Sequence, residues 1–403
     1  MKKEAAPHQK WGKPLRILYP VPEGIDFRRA RFQQIFQTAH ALARLGCHVD
    51  LLIGRNPIDP VADALPHYGL GNHENLRIHS IAMFRREEGP FLRISWDGVF
   101  LLLCGLKMGQ LLRQRTYHAI FTRHLKPAAF FSALRSYFKL PIIFEAHEIF
   151  HLTANRNERS EKIRKKEARI YPRMDGLVAI TRGLADKFRE SFYLRAPIEI
   201  VPDGFHPGLY QTLSPSRRQG RIIYVGQLFP WKGTDILFEA MQYLPEAELH
   251  VLGGSGALLE KSIEQCQRLD VDGRVSFHGQ VPPLEVVRHL GEASVAVLPL
   301  RTDLISARFT SPLKLFEYMA AGVPIVASDL PSMREILSDR TNALLVKPED
   351  PHALAEGIQK LLRERGLAER LAARAKDDVQ SYTWDKRAER IIGLLRSLID
   401  GKC

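Results

Sequence analysis

Short β-branched and aliphatic runs alternate with segments whose apolar residues recur at helical spacing, and the alternation begins at the start of the chain. LRILYPVP (Leu15 to Pro22) reads as a strand, RFQQIFQTAHALARLG as a helix ended by Gly46, and HVDLLIG as the next strand. Further buried strands are expected at HAIFTR from His118, PIIFEA from Pro141, GLVAIT from Gly176 and IEIVPDG from Ile198 to Gly204. A stretch without periodicity follows, FHPGLYQTLSPSRRQG (Phe205 to Gly220), whose Pro, Gly, Ser and Arg mark a linker. Beyond it the pattern restarts, with strands expected at RIIYVGQ, ELHVLGG, RVSFHG, ASVAVLPL, PIVAS and ALLV, separated by helices. This is the pattern of two consecutive α/β units, each a doubly wound parallel sheet, with ligands expected beyond the carboxyl ends of strands. The expected domains are residues 1–204, joined by a final helix at about 385–403, and residues 205–384.

The length of 403 residues suits two domains, and 45% apolar with 26% charged residues is ordinary for a globular protein. A formal charge of +13 fits nucleic acid, an anionic membrane or a phosphorylated substrate without choosing among them. The densest basic stretch, Asn155 to Met174, interleaves acids with its lysines and arginines, as a solvated helix face does. Cys47, Cys104, Cys266 and Cys403 lie far apart with no C-x-x-C pair, which fits a reducing cytoplasm better than a zinc ribbon or redox motif. No apolar h-region follows the basic N-terminus, and the longest apolar run, Val99 to Leu106, falls short of a membrane span.

Two short motifs suggest metals. His147, Glu148 and His151 spell the H-E-x-x-H of zinc proteases, but that motif requires both histidines on one helix, and His147 follows directly on a buried strand. Asp270-Val271-Asp272 resembles a metal-holding D-x-D, yet it stands between a helix and a strand with Asp-Gly supplying a turn. Neither is expected to bind metal.

The segment from Ala293 to Leu337 carries more chemistry. In TSPLKLFEYMAAGVP, Ser311 suits an N-cap, Pro312 the first helical position and Gly322 the C-terminal stop. A helix N-terminus beyond a strand end offers free N–H groups and a positive dipole end to an anion. Lys314 adds charge in the first turn, and Glu317 can accept hydrogen bonds from the vicinal hydroxyls of a ribose. YVGQLFPWKG adds Gly226 at a strand end and Lys232 before a helix, where a lysine can neutralise a diphosphate. VLGGSG adds a glycine turn at Gly254.

In the order and spacing of these motifs, VPDG, VGQLFPWKG, HVLGGSG, VSFHGQVP and SPLKLFEYMAAGVPIVASDLPSMREIL, the chain resembles the retaining glycosyltransferases of family 4. The N-terminal half matches more loosely, through TAHALARLGCHVDLLI and FEAHEIF. The resemblance implies the GT-B fold, two Rossmann-like domains facing a central cleft, with YTWDKRAERIIGLLRSLI crossing back to the N-terminal domain. It further implies that Lys232 binds the donor diphosphate, Glu317 the ribose, and Ser311, Pro312, Leu313 and Lys314 the phosphates, with Gly24, Gly226, Gln227 and Gly254 also at the donor and His147 near the donor sugar. The implied reaction moves a sugar from a nucleotide diphosphate sugar to an acceptor hydroxyl with retention and without metal. It suits synthesis of a cell-surface polysaccharide or glycolipid by a cytoplasmic protein that could touch the inner membrane face peripherally, with no nucleic-acid partner.

The sequence departs from the family pattern in three places. Phe309 stands where the first carboxylate of Glu-x7-Glu is common, with Asp303 as a misplaced substitute. Gln227 replaces an arginine, and Gly24 stands alone where a glycine pair is usual. A degenerate, non-catalytic nucleotide-sugar or partner-binding protein is the alternative these changes raise. The acceptor, saccharide or lipid-linked, is not specified by any motif, and the apolar segment from Phe91 to Arg115 is expected to bury its face in a core in preference to a membrane.

Overall fold

The computed structural model describes residues 13–27, 29–55, 61–82, 96–154, 158–211, 213 and 215–401. The basic N-terminal segment before residue 13 and Cys403 lie outside the described residues.

The chain divides into two compact units. In the first, parallel strands β1 (Arg16–Gly24), β2 (His48–Gly54), β3 (Leu76–Ile81), β4 (Ala119–Thr122), β5 (Ile142–Ala146), β6 (Gly176–Ala179) and β7 (Ile198–Ile200) form one sheet in the order β3-β2-β1-β4-β5-β6-β7. Strands β1, β2, β4, β5 and β6 are buried along most of their length because helices cover both faces of the sheet. The order reverses between β1 and β4, which makes a topological switch point. The edge strand β3 lies in LRIHSI, where polar and apolar residues mix, and sequence patterning does not reveal it. β7 is shorter than expected, since the chain leaves the sheet after Ile200.

Helix α1 (Ala30–Arg44) turns Phe32, Ile35, Phe36, Ala39 and Leu42 inward, and Gly46, at φ 91°, redirects the chain into β2. Helix α2 (Trp96–Gln114) buries Phe100, Cys104, Met108 and Leu111 on one face and exposes Leu102 and Leu106 on the other. The core expectation for this segment therefore holds for one face of the helix, while residues 91–95 lie outside the described part. No helix among the described residues is long and apolar enough to cross a membrane. Helix α3 (Glu158–Ile170) carries the basic, solvated face expected of its sequence, apart from Glu167, which is fully buried.

The second unit comprises Thr181–Gly183 and Pro202–Thr383. Its parallel strands are β8 (Arg221–Val225), β9 (Glu248–Leu252), β10 (Val275–Gly279), β11 (Val295–Leu298), β12 (Ile325–Ser328) and β13 (Leu344–Val346), in the order β10-β9-β8-β11-β12-β13. Alternate residues face opposite layers. Ile223, Val225, Ala296 and Leu298 pack with helices α4 (Pro283–Glu292) and α5 (Leu313–Ala320), whereas Ile222, Tyr224, Val295 and Val297 pack beneath helix α6 (Pro351–Arg363). The switch point lies between β8 and β11.

The stretch from Phe205 to Gly220 is not a free linker. Arg217 donates to the carbonyls of Ala293, Ala321 and Gly322, and the Ser216 and Arg218 N–H groups donate to Gly291 and Glu292, which fastens the segment to the ends of α4 and α5. Its composition lacks periodicity because its polar groups are satisfied by distant backbone instead of by a helix or sheet of its own.

The last helix, α7 (Trp384–Ile399), belongs to the first unit and packs on α1 and the β6–β7 end of the sheet through Ala388, Ile391, Ile392 and Leu395. Arg44 and Asp385 pair across the α1–α7 contact at 2.9 Å.

Candidate functional site

Loops beyond the carboxyl ends of β8 and β11 build the candidate site of the second unit. After β8 the chain makes a short turn at Pro230–Lys232 and then swings through Gly233 at φ 68°, a left-handed conformation. A Cβ on Gly233 would stand 1.9 Å from the carbonyl oxygen of Pro299, so glycine is what lets this loop lie against the one after β11. The two loops are further tied by the Ser306 hydroxyl donating to the Trp231 carbonyl at 3.0 Å and by Arg301, which donates to the Pro230 carbonyl and pairs with Asp235. Gly253, after β9, approaches Gly226 so closely that a Cβ would fall 2.2 Å from the Gly226 carbonyl oxygen. Gly226, Gln227 and Gly254 are thereby gathered at one end of the sheet, with the Gln227 carbonyl accepting from the Tyr224 hydroxyl and Gly254 closing on Leu228.

Lys232 sits half-buried in this frame with its ammonium over the Trp231 ring, 4.0 Å from the centroid. Burial lowers its pKa to about 8, with Asp303 pulling it up and Lys314 pushing it down. Lys232 therefore feels both Asp303 and Lys314 although a long stretch of chain separates the two lysines. Asp303 uses Oδ1 to accept from the N–H groups of Ile305 and Ser306, at 3.0 and 3.1 Å, and its Oδ2 is buried without a hydrogen-bond partner.

Helix α5 starts later than its sequence suggests. Pro312 occupies the capping position and Leu313 is the first helical residue, while the Ser311 hydroxyl accepts from the Asp203 N–H at 3.1 Å instead of capping the helix. At the other end Gly322 (φ 61°) follows the helix as expected, and the N–H groups of Gly322 and Val323 bond the carbonyls of Met319 and Tyr318 in a Schellman motif. The Tyr318 hydroxyl accepts from the Val225 N–H at 2.8 Å, which pins α5 to the end of β8. Glu317 is buried and forms a 2.7 Å ion pair with Lys314.

His147 and Gly24 belong to the first unit. Gly24 is the last residue of β1 and pairs with Gly54 across an irregularity that shifts the β1–β2 register after Val21. His147 follows β5, and its Nε2 lies 3.4 Å from Glu145 Oε2 without the alignment of a hydrogen bond. Burial and then the Arg123 guanidinium push His147 down to about 4, against the opposing pull of Glu145, so the imidazole is neutral at pH 7. Glu145 is itself buried, and burial opposes its charge, but Arg387 of α7 together with His147 and Arg123 holds its carboxyl well below the usual range. Arg387 also donates to the Val201 carbonyl and Thr38 Oγ1, and Tyr19 donates to Glu145 at 3.3 Å. Near the β1–β4 switch point, Glu23 pairs with His124 at 3.1 Å and Arg31 at 2.8 Å. Burial works against the Glu23 charge, but His124 and then Arg31 outweigh it and bring the carboxyl down to about 2. Sequence reading does not single out Glu145, Arg387, Arg123, His124 or Glu23. Only the FEAH context around Glu145 hints at any of them, because their partners stand up to 242 residues away.

The H-E-x-x-H motif comes apart. His147 follows a strand, whereas His151 lies in the short helix Phe150–Thr153 and engages Glu167 Oε2 at 2.6 Å. Glu148 accepts from Thr153, so the three motif residues serve three different partners. In the D-x-D segment, Asp270 is left-handed at φ 55° and Asp272 opens a single helical turn, in keeping with a turn.

Two family models match the chain, Glycosyltransferase Family 4 over residues 33–208 and Glycosyl transferases group 1 over residues 213–378. The chain belongs to the group 1 glycosyltransferases of family 4. It is 31% identical over 179 residues to the uncharacterized glycosyltransferase MJ1607 of Methanocaldococcus jannaschii, covering 43% of this chain and 44% of that one. It is 23% identical over 396 residues to the D-inositol 3-phosphate glycosyltransferase of Corynebacterium glutamicum, covering 91% of each. The chain spans about half the length of the first curated relatives it matches. Among solved structures, sucrose-phosphate synthase from Thermosynechococcus elongatus aligns with a TM-score of 0.76 at 21% identity, covering 96% of this chain and all of that one. Anabaena HepE in complex with UDP aligns at 0.71 and 15%, covering 95% of this chain and all of that one. The fold is the two-domain α/β GT-B fold.

Where the family commonly carries its first carboxylate, this chain has a wholly buried Phe309, the last residue of a π-helical turn, Ile305–Phe309. Asp303, the acid in the same loop, holds the start of that turn through the Ile305 and Ser306 N–H groups.

Proposed function

We propose that the protein transfers a sugar from a nucleoside diphosphate sugar to an acceptor hydroxyl, with retention of configuration and without a metal ion in the transfer step. The observation that carries this reading is the grouping of Lys232, Lys314 and Asp303 at the β8–β11 switch point, beside a helix N-terminus and a buried Glu317. Departure of a nucleoside diphosphate develops negative charge, and Lys232, Lys314 and the first N–H groups of α5 are fixed donors for that charge. Glu317 would release its bond to Lys314 in part and accept the ribose hydroxyls, leaving Lys314 to the phosphates. Ser311, Pro312 and Leu313, at the start of α5, would meet the phosphates beside Lys314, while Gly226 and Gly254 leave room for the nucleotide beside Gln227. Gly24, at the end of β1, does the same in the first unit. There, neutral His147 would donate to a hydroxyl of the donor sugar, kept in place by Glu145 and Arg387.

Solved structures of similar fold support a nucleotide-sugar donor: Anabaena HepE is in complex with UDP-glucose, and S. aureus TarM with UDP and Fondaparinux. The acceptor in this reading is a saccharide or lipid-linked hydroxyl, and the cellular role is synthesis of a surface polysaccharide or glycolipid at the cytoplasmic side of a membrane. Three cysteines, Cys47, Cys104 and Cys266, are buried free thiols, which favours a reducing compartment.

The test is calorimetric titration with UDP, GDP and ADP and their hexose conjugates in the presence of a chelator, beside Glu317→Ala and His147→Ala. One nucleotide series should bind, binding should weaken about tenfold or more in Glu317→Ala, and His147→Ala should depress donor turnover more than affinity. The presence of Phe309 in place of a carboxylate favours a second reading, a non-catalytic nucleotide-sugar-binding protein. Donor hydrolysis without acceptor excludes it, whereas tight binding with no turnover on any donor or acceptor supports it.

A further inference from the structure

Three histidines distant in sequence meet on the second sheet. His250 stands on β9, His278 on the neighbouring edge strand β10, and His289 on α4, and one ring nitrogen from each falls within 4.8 Å of the others. His250 Nδ1 lies 2.9 Å from His278 Nε2, and the two rings stack with centroids 5.1 Å apart. The His289 ring closes the group at 4.6 Å from His278. His250 and His289 are buried, while His278 is exposed and gives the cluster an opening to solvent. His289 is 5% exposed, and its Nδ1 is buried with no hydrogen-bond partner, a desolvation with nothing to offset it.

We propose that His250, His278 and His289 form a binding site for one zinc ion, which fastens the edge strand β10 to β9 and α4. Three imidazole nitrogens are a common zinc ligand set, and solvent at the His278 side leaves a fourth position for water. Zn–N bonds of about 2.0–2.1 Å in tetrahedral geometry place ligand nitrogens about 3.3 Å apart, so the 2.9 Å pair need open only slightly.

The surroundings match a zinc site in a second way. When Nδ1 of His250 and Nδ1 of His289 face the ion, their Nε2 atoms carry the protons. Those atoms lie 3.8 Å from Glu248 Oε2 and 3.8 Å from Glu285 Oε1, where small rotations make carboxylate–histidine–metal arrangements. Arg288 donates through Nη2 to His289 Nε2 at 3.1 Å in the metal-free arrangement, while its Nη1 already donates to Glu292 at 3.2 Å. The side chain is 57% exposed, so the Nη2 contact can be given up to solvent with the Glu292 bond kept. Arg221 pairs with Glu292, a carboxylate that Arg218 and Arg288 also approach. This site uses none of the residues assigned to sugar transfer.

The test uses the untagged full chain, stripped with a chelator and dialysed, titrated with Zn²⁺ by calorimetry and with Co²⁺ by visible absorbance. The expected result is one equivalent of Zn²⁺ with a dissociation constant in the micromolar range or tighter, and the intense visible bands of four-coordinate cobalt. His289→Ala and the exposed His278→Ala should each weaken binding by more than about 100-fold, beyond the loss typical of an outer-shell partner. Should His289→Ala fail to fold, His278→Ala decides alone. Absence of a stoichiometric micromolar site, or undiminished binding by His278→Ala, overturns the proposal.

Discussion

Lys232 should make nucleotide binding depend on pH in a range where most lysines are inert. Its pKa in the free protein is lowered to about 8 by burial, so it is charged below that value and neutral above it. The protonated fraction falls from about nine-tenths at pH 7 to about one-tenth at pH 9, while a terminal phosphate, with its second pKa about 6, is already about nine-tenths ionised at pH 7 and changes little. If only the ammonium form holds the diphosphate, affinity should weaken about tenfold over those two pH units, equal to about 1.4 kcal/mol. Binding at pH 8 should take up about half a proton, seen as a dependence of the calorimetric heat on the buffer's ionisation enthalpy. Lys232→Ala should lose a charged hydrogen bond of about 1.5–3 kcal/mol, roughly 10- to 150-fold at pH 7, and should show no dependence between pH 7 and 9. Lys232→Arg, whose guanidinium stays protonated, should also be flat with pH. The assay is calorimetry with whichever of UDP, GDP or ADP binds. Equal affinity of the wild-type protein at pH 7 and 9, with no loss in Lys232→Ala, would refute the assignment of Lys232 to the diphosphate.

Arg387→Ala leaves Glu145 as a buried charge without its main partner, and should destabilise the first unit by about 3–5 kcal/mol in chemical denaturation. Adding Glu145→Gln should restore part of that loss, and a single-variant cost below about 1 kcal/mol would show the pair to be dispensable. Gly233→Ala combines a left-handed φ with a Cβ placed 1.9 Å from the Pro299 carbonyl oxygen, whereas Gly256→Ala has a left-handed φ of 55° and open space. Gly256→Ala should cost about 1–2 kcal/mol and Gly233→Ala clearly more, with weakened nucleotide binding besides; equal melting temperatures for the two would discount the close approach of the loops.

The alternation of apolar runs and helical periods is enough to place nearly every strand of both sheets, because burial of a strand or a helix face is written into neighbouring residues. It fails where burial is one-sided or partial: β3 mixes polar and apolar positions as an edge strand, and the Phe205–Gly220 segment is held by the Arg217 contacts to distant carbonyls. Local signals misplace Ser311 and Pro312 by one step at the start of α5, since the Ser311 hydroxyl is taken by the Asp203 N–H, 108 residues away in the chain. Lys232, Lys314 and Glu317 can be singled out from local spacing, as strand ends and helix starts carry their own signatures. Their electrostatic company cannot, because the coupling of Lys232 to Asp303, the Glu145–Arg387 pair and the meeting of His250, His278 and His289 depend on which strands lie side by side and where the crossovers return. Local residue pattern sets the elements, while the parallel sheet order, with its connections over tens of residues, sets which side chains become neighbours.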